Sequence, residues 1–357
     1  MLPQPVPMNR EPNRLGKALL ALHGAGAHRV ATSYLGGIGV IFMLHRVVPD
    51  AGAAFAPNRL LEVTPQFLDE TITLVRELGY HTISLTEATH RLQAGESRER
   101  FAVFTLDDGY RDNFTHALPV FARHQTPFTV YLATDMPDGT AEIWWVALER
   151  AIAATNQICA HLSGIDHILP TRTPGEKQTA YNRIYWHLRR QPEAVLRTEV
   201  KRLAKEQGID MGHLTRELAM SWDELRSLTA QPLASIEAHT AAHFALAGQS
   251  AEAARQDIAR GLARHEAELG KRPTHFSYPY GDPESAGARD FELARECGFV
   301  SATTTRKGLI QRHHAQAMMH LPRLSLNGLY QDRRMLEVLL SGLPFAMAKP
   351  FGLMGVD

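Results

Sequence analysis

Two carboxylates stand side by side in FAVFTLDDGY, Phe101–Tyr110: Asp107 and Asp108, followed by Gly109. A single Asp after a strand reads as a helix N-cap. Two adjacent carboxylates at the end of an apolar run repel each other and resist burial. A metal ion relieves that conflict by holding one and leaving the other as a base. Gly109 permits a backbone turn that a side chain would hinder. A second pattern is EAHTAAHFAL, Glu237–Leu246, with His239 and His243 four residues apart. On a helical turn that spacing puts both imidazoles on one face, which suits two ligands of a divalent ion. One Asp and two His leave coordination positions open for water and substrate, as hydrolytic sites require.

The elements that must carry these residues alternate between strand and helix. GVIFMLHRV (Gly39–Val47) is an apolar run ending near His45. A helix follows with Thr64 as N-cap, Pro65 at N1 and Gly79 at its end. The runs HTISL, FAVFTL, TPFTVYLA, LASIEAHT, THFSYPYG, FVSATTT and HLPRLSL read as further strands, with helices between them. Ser221 with Glu224 forms a capping box, and Ser250 caps a helix ending at Gly270. This alternation predicts a parallel sheet or barrel. Residues from about 140 to 220 break it and read as a mostly helical insertion, a lid or substrate-side wall. In parallel α/β folds active groups collect at the C-terminal ends of strands. His45, the Asp pair, His239 and YPYG all fall there.

Composition narrows the function classes. Lys+Arg and Asp+Glu both number 38, and this balance disfavours a general nucleic-acid binder. Two distant cysteines, Cys159 and Cys297, make neither a disulfide framework nor a metal knuckle. They favour a reducing compartment. No run is long enough for a membrane span. The expected organisation is an N-terminal extension (1–35), a main domain (36–330) and an apolar C-terminal tail (331–357). The tail is expected to pack on the domain as a helix; peripheral contact with a membrane face is the alternative.

Together these segments resemble the polysaccharide deacetylases, carbohydrate esterase family four. FTLDDGY is similar to their T-F-D-D-G motif, IEAHTAAHFAL to H-[ST]-x-x-x-H, and FSYPYGD to the third motif, which ends in P-Y-G. The resemblance runs from about Val40 to Leu326. It implies a distorted (β/α) barrel of about seven parallel strands, with the helical insertion added. It also implies that Asp108, His239 and His243 hold the metal and that Asp107 is the general base for the attacking water. A backbone N–H near Tyr280, in a turn shaped by Pro279 and Gly281, would stabilise the oxyanion. Zinc is the expected ion, and cobalt, nickel or manganese also suit these ligands.

Two departures from the family pattern carry expectations of their own. The third motif normally has an arginine where this chain has Ser277; Arg323, in LPRLSL, is expected to replace it as partner of Asp107. The fifth motif's histidine is absent from Leu324–Leu326, and His45 is the candidate general acid. His313, His314 and His320 are out of register. The implied activity is metal-dependent removal of N-acetyl groups from an amino-sugar glycan or glycolipid. Another metal-dependent amidase, or a glycan-binding pseudoenzyme, is the alternative. The expected location is cytoplasmic, at the inner face of the membrane.

Overall fold

The computed structural model describes residues 14–49, 52–96 and 99–348. Seven strands form the centre: β1 (Gly39–Leu44), β2 (Phe101–Asp108), β3 (Phe128–Leu132), β4 (Ala234–Ala238), β5 (His275–Ser277), β6 (Ser301–Lys307) and β7 (Leu321–Ser325). Each pairs in parallel with the next in sequence, and β7 pairs back onto β1, with Phe42 opposite Leu324. The sheet is therefore a closed seven-stranded barrel. It is distorted: β4 and β5 share only the Phe276–Ala238 pair, and the register shifts between β6 and β7. HTISL, expected as a full strand, contributes only His81–Thr82, beside the start of β2.

Strands β1, β2 and β3 are buried along their whole lengths, because helices cover one face and the barrel interior the other. Val40, Phe42 and Leu44 pack with Phe67, Leu68 and Ile72 of the helix Pro65–Glu77. Ile41 faces the other way, with Val103, Tyr131 and Phe276. Local chemistry sets the helix ends. Thr64 accepts the Phe67 N–H, the Ser221–Glu224 capping box is formed, and Ser250 accepts the Ala253 N–H. The helix that follows β2 begins as a π-helical turn, Asn113–Ala117, before Leu118–Arg123.

The segment from 140 to 220 holds helices Trp144–Ala153, Pro174–Leu188, Glu193–Glu206 and Met211–Leu218 around an apolar cluster of its own. The expectation of a mostly helical insertion needs one correction. Gln157–Leu162 and Ile165–Pro170 form an antiparallel hairpin. Its two-residue turn, Ser163–Gly164, has φ of 54° and 77°, the pair of left-handed residues that matches strand twist.

Helices Arg14–Gly24 and Arg333–Leu340 pack through Leu19, Met335 and Val338. Residues 1–13 of the expected extension and 349–357 of the expected tail lie outside the described residues. Among the described residues no helix is long and apolar enough to cross a membrane.

Candidate metal-dependent active site

Asp107 and Asp108 close β2. Neighbouring strand residues point to opposite faces, but Asp108 has φ of 75°, and this left-handed step breaks the alternation. Both carboxylates serve one mouth, the C-terminal end of the barrel. The next residue, Gly109, has φ of 94°, and a Cβ there would meet Leu132 Cδ1 at 2.5 Å.

Arg323 reaches Asp107 from β7. Its Nη1 and Nη2 donate to Oδ1 and Oδ2 at 2.7 and 2.6 Å. The remaining guanidinium hydrogens go to Thr105 Oγ1, Ser277 Oγ and the Thr304 carbonyl. All five donors of a guanidinium with 1% exposure are thereby satisfied. Burial pushes the Asp107 carboxyl up, but the facing Arg323 outweighs it and holds the group below its ordinary value. Ser277, at the position where the family motif carries arginine, accepts a hydrogen bond from Arg323 instead.

Asp108 Oδ1 lies 3.4 Å from His239 Nε2 and 3.2 Å from His243 Nε2. Two atoms each about 2.1 Å from one tetrahedral ion lie about 3.4 Å apart, so the three residues fit a zinc-sized ion. Oδ1 is buried and has no hydrogen-bond partner, an orphan that a cation would satisfy. Burial opposes the Asp108 charge, yet the His243 and His239 imidazoles hold its carboxyl well below the usual range. His239 Nδ1 lies 2.7 Å from the Ser277 carbonyl, which fixes the tautomer with Nε2 free to ligate.

The histidine pair is not on a helical turn, which corrects the reading from spacing. Residues 239–245 form an irregular loop after β4 in which Thr240 and His243 have φ of 63° and 57°. The His243 N–H is tied to Thr240 Oγ1, and Asp257 accepts the Ala242 N–H. The loop's own hydrogen bonds bring the rings together, with centroids 5.0 Å apart.

Tyr280 sits at φ 61° between Pro279 and Gly281, and Thr305 Oγ1 donates to its carbonyl. A Cβ at Gly281, φ 62°, would meet Thr305 N at 2.7 Å. No acceptor among the described residues takes the Tyr280 N–H. His45 follows β1 and faces Asp107 Oδ2 at 4.0 Å. Burial pushes its imidazole below its ordinary value, against the pull of Asp108 and Asp107. The segment after the Asp pair pins it: Asn113 Nδ2 donates to the His45 carbonyl and Asp112 accepts the Val47 N–H. His313, His314 and His320 do not line this cavity.

The insertion contributes residues that the sequence reading missed. Arg197, 8% exposed, lies within 3.4 Å of the Ala242 and His243 carbonyls and stacks on Phe244. Glu193 accepts the Ala245 N–H. The Trp145 ring lies 5.1 Å from that of His243. Trp144 Nε1 donates to the Tyr280 hydroxyl, and the Arg189 guanidinium covers the Tyr280 ring at 3.9 Å. Arg197 had a detectable signal. It stands on the apolar stripe of its helix with Val200 and Ala204, where an unpaired charge would be costly. Arg189 had none.

Residues 94–301 match the family model for polysaccharide deacetylase. No curated protein matches the chain. Among solved structures, the Streptococcus pyogenes deacetylase PplD in complex with acetate is 13% identical, with a TM-score of 0.53, covering 81% of this chain and 92% of its own. IcaB from Ammonifex degensii is 16% identical, with a TM-score of 0.53 and coverage of 85% and 96%. A polysaccharide deacetylase from Bacillus cereus is 13% identical, with a TM-score of 0.52 and coverage of 85% and 68%.

Proposed function

The chain belongs to the polysaccharide deacetylase family, a family of carbon–nitrogen hydrolases, and we propose that it removes N-acetyl groups from an amino-sugar glycan or glycolipid in a metal-dependent reaction. The observation that carries this reading is the division of the Asp pair: one carboxylate is locked by Arg323, the other faces two histidine nitrogens.

Asp108, His239 and His243 would hold the ion, with zinc the expected metal. When bound, a divalent ion supplies Lewis-acid polarisation of the acyl oxygen and acidifies water. Asp107 takes a proton from the attacking water, whose oxygen bonds to the acyl carbon. Arg323 fixes the direction of that carboxylate and keeps it ionised. The Tyr280 N–H, which has no acceptor among the described residues, donates to the oxyanion. The C–N bond then breaks, and His45 relays to the departing nitrogen the proton that Asp107 took. Its 4.0 Å separation from Asp107 supports this assignment, since such contacts tighten once substrate is bound. The products are acetate and a free amine.

We place the protein in a reducing compartment, at the inner face of a membrane where surface glycans are assembled; the two free cysteines support the compartment. Acetate release from N-acetylglucosamine glycosides and oligomers tests the activity, with and without a chelator. Release that stops on chelation and returns with zinc is expected. Release indifferent to chelator would remove the metal from the reading, and no release from any N-acetylated sugar would remove the reading itself.

A further inference from the structure

The insertion also shapes what can reach the two aspartates, an inference that rests on the deacetylase reading above. The helix Pro174–Leu188 lines the cavity that holds the metal ligands and is fastened at its middle and just past its C-terminal end. Near its middle, the Tyr181 hydroxyl donates to Asn58 Oδ1 at 2.9 Å, and Asn58 belongs to the short turn Pro57–Leu61, which also lines the cavity. Asn58 Nδ2 donates onward to the Trp145 carbonyl and to Glu149. Just past the helix, Arg189 covers the Tyr280 ring and donates to Ser285 Oγ at 2.9 Å. The insertion is thus tied to the Pro57–Leu61 turn and to the Tyr280 turn, both of which border the cavity that holds Asp108, His239 and His243.

The cavity left between them is about 250 Å³. Small-molecule sites begin at roughly 300 Å³, so this one has room for little more than a single sugar ring. An internal unit of a polymer needs two exits from the catalytic centre, one for each flanking chain. The Tyr181–Asn58 hydrogen bond instead ties two segments of the cavity wall to each other. The cavity's outer lining is apolar: Leu60 and Trp186 stand 44% and 57% exposed, with Leu61 and Tyr185 further in. Of the two amides in this lining, Asn58 already spends its groups on protein partners, and Asn182 Oδ1 accepts from Gln178 Nε2. Few groups remain there to bind the hydroxyls of a second sugar.

We propose that the pocket takes one terminal N-acetylated amino sugar joined to an apolar carrier of lipid type, and that Leu60 and Trp186 receive the carrier. The sugar enters with its acetamide toward Asp107 and the metal ligands, and the apolar chain leaves over the Leu60–Trp186 lip.

The test compares the zinc-supplied full chain on octyl and methyl glycosides of N-acetylglucosamine, and on its pentamer. Each buried methylene is worth roughly fourfold in affinity. The octyl glycoside should therefore exceed the methyl glycoside in kcat/KM by about tenfold or more. Mass spectrometry of the pentamer should find deacetylation confined to a terminal unit. The double variant Leu60→Ser with Trp186→Ser should bring the octyl-to-methyl ratio toward one, a ratio that is insensitive to partial misfolding. Deacetylated internal units, equal rates on the two glycosides, or a ratio unmoved by the double variant would overturn the proposal. Loss of all three substrates would instead count against the deacetylase reading, which the chelator experiment detects separately.

Discussion

Arg323 illustrates what one side chain must do to keep a buried base usable. Five donors meet five acceptors, so neither the guanidinium nor Asp107 is left as an uncompensated charge. Arg323→Ala removes the cation and strands the carboxylate, which should cost roughly 3–5 kcal/mol of stability as well as turnover. Arg323→Lys keeps the charge but loses the fork, and should retain more stability than activity. Denaturant unfolding set beside acetate release separates the two effects, and an Arg323→Ala enzyme with full turnover would remove the role. His45→Ala should keep metal while kcat falls roughly 10²–10⁴-fold, the usual range for a lost acid–base group. An intact kcat and pH–rate profile would reject His45 as the acid. The adjacency of Asp107 and Asp108 and the His239/His243 spacing were legible in the sequence because side-chain chemistry needs only residue type. Arg323 was legible for the same reason, since the missing arginine at Ser277 left a carboxylate in need of a cation.

At the level of elements, the strain is concentrated at the site. Asp108, Thr240, His243 and Tyr280 are four of the six non-glycine residues with positive φ among the described residues. Such backbone persists only where surrounding contacts impose it. For His243 and Tyr280 the insertion adds to the contacts made by Thr240, Asp257 and Thr305, through Arg197 and Trp145 to the histidine loop and through Trp144 and Arg189 to the tyrosine turn. Arg197→Met should therefore weaken metal binding about 10–100-fold, as loss of an outer-shell support does, although Arg197 touches no ion. Competition against a chelating dye measures this; unchanged affinity would reduce Arg197 to a packing residue. Capping signals predicted helix starts well because an N-cap is a contact within four residues. The histidine loop was misread as helical because its shape depends on Asp257 and Arg197, residues far away in sequence. The 157–170 hairpin was missed although Ser163–Gly164 is a turn signal, because the flanking helical segments dominated the reading.

At the scale of the molecule, a ring of seven sequential parallel strands gathers β1, β2, β4, β5 and β7 at one mouth. Strand–helix alternation made that architecture legible; closure between β7 and β1, a contact between the two ends of the barrel, was not readable from any local pattern. The fold also buries uncharged histidines away from the site. Burial lowers His265 and His275 from the ordinary 6.5 to about 4. Between those values the unfolded chain binds more protons than the native one, so stability is full above about pH 6.5 and is lost as pH falls toward 4. His265→Leu should move the acid unfolding midpoint, followed by circular dichroism, to lower pH; an unmoved midpoint would show that His265 does not drive acid unfolding. The assembled mouth rests finally on the two neighbouring carboxylates having different tasks. Metal content and acetate release, measured side by side on Asp108→Ala and Asp107→Asn, test this most directly. Asp108→Ala should lose metal and turnover together, whereas Asp107→Asn should keep its metal and lose turnover. Two variants that lose metal alike, or an Asp107→Asn enzyme that still turns over, would contradict the division.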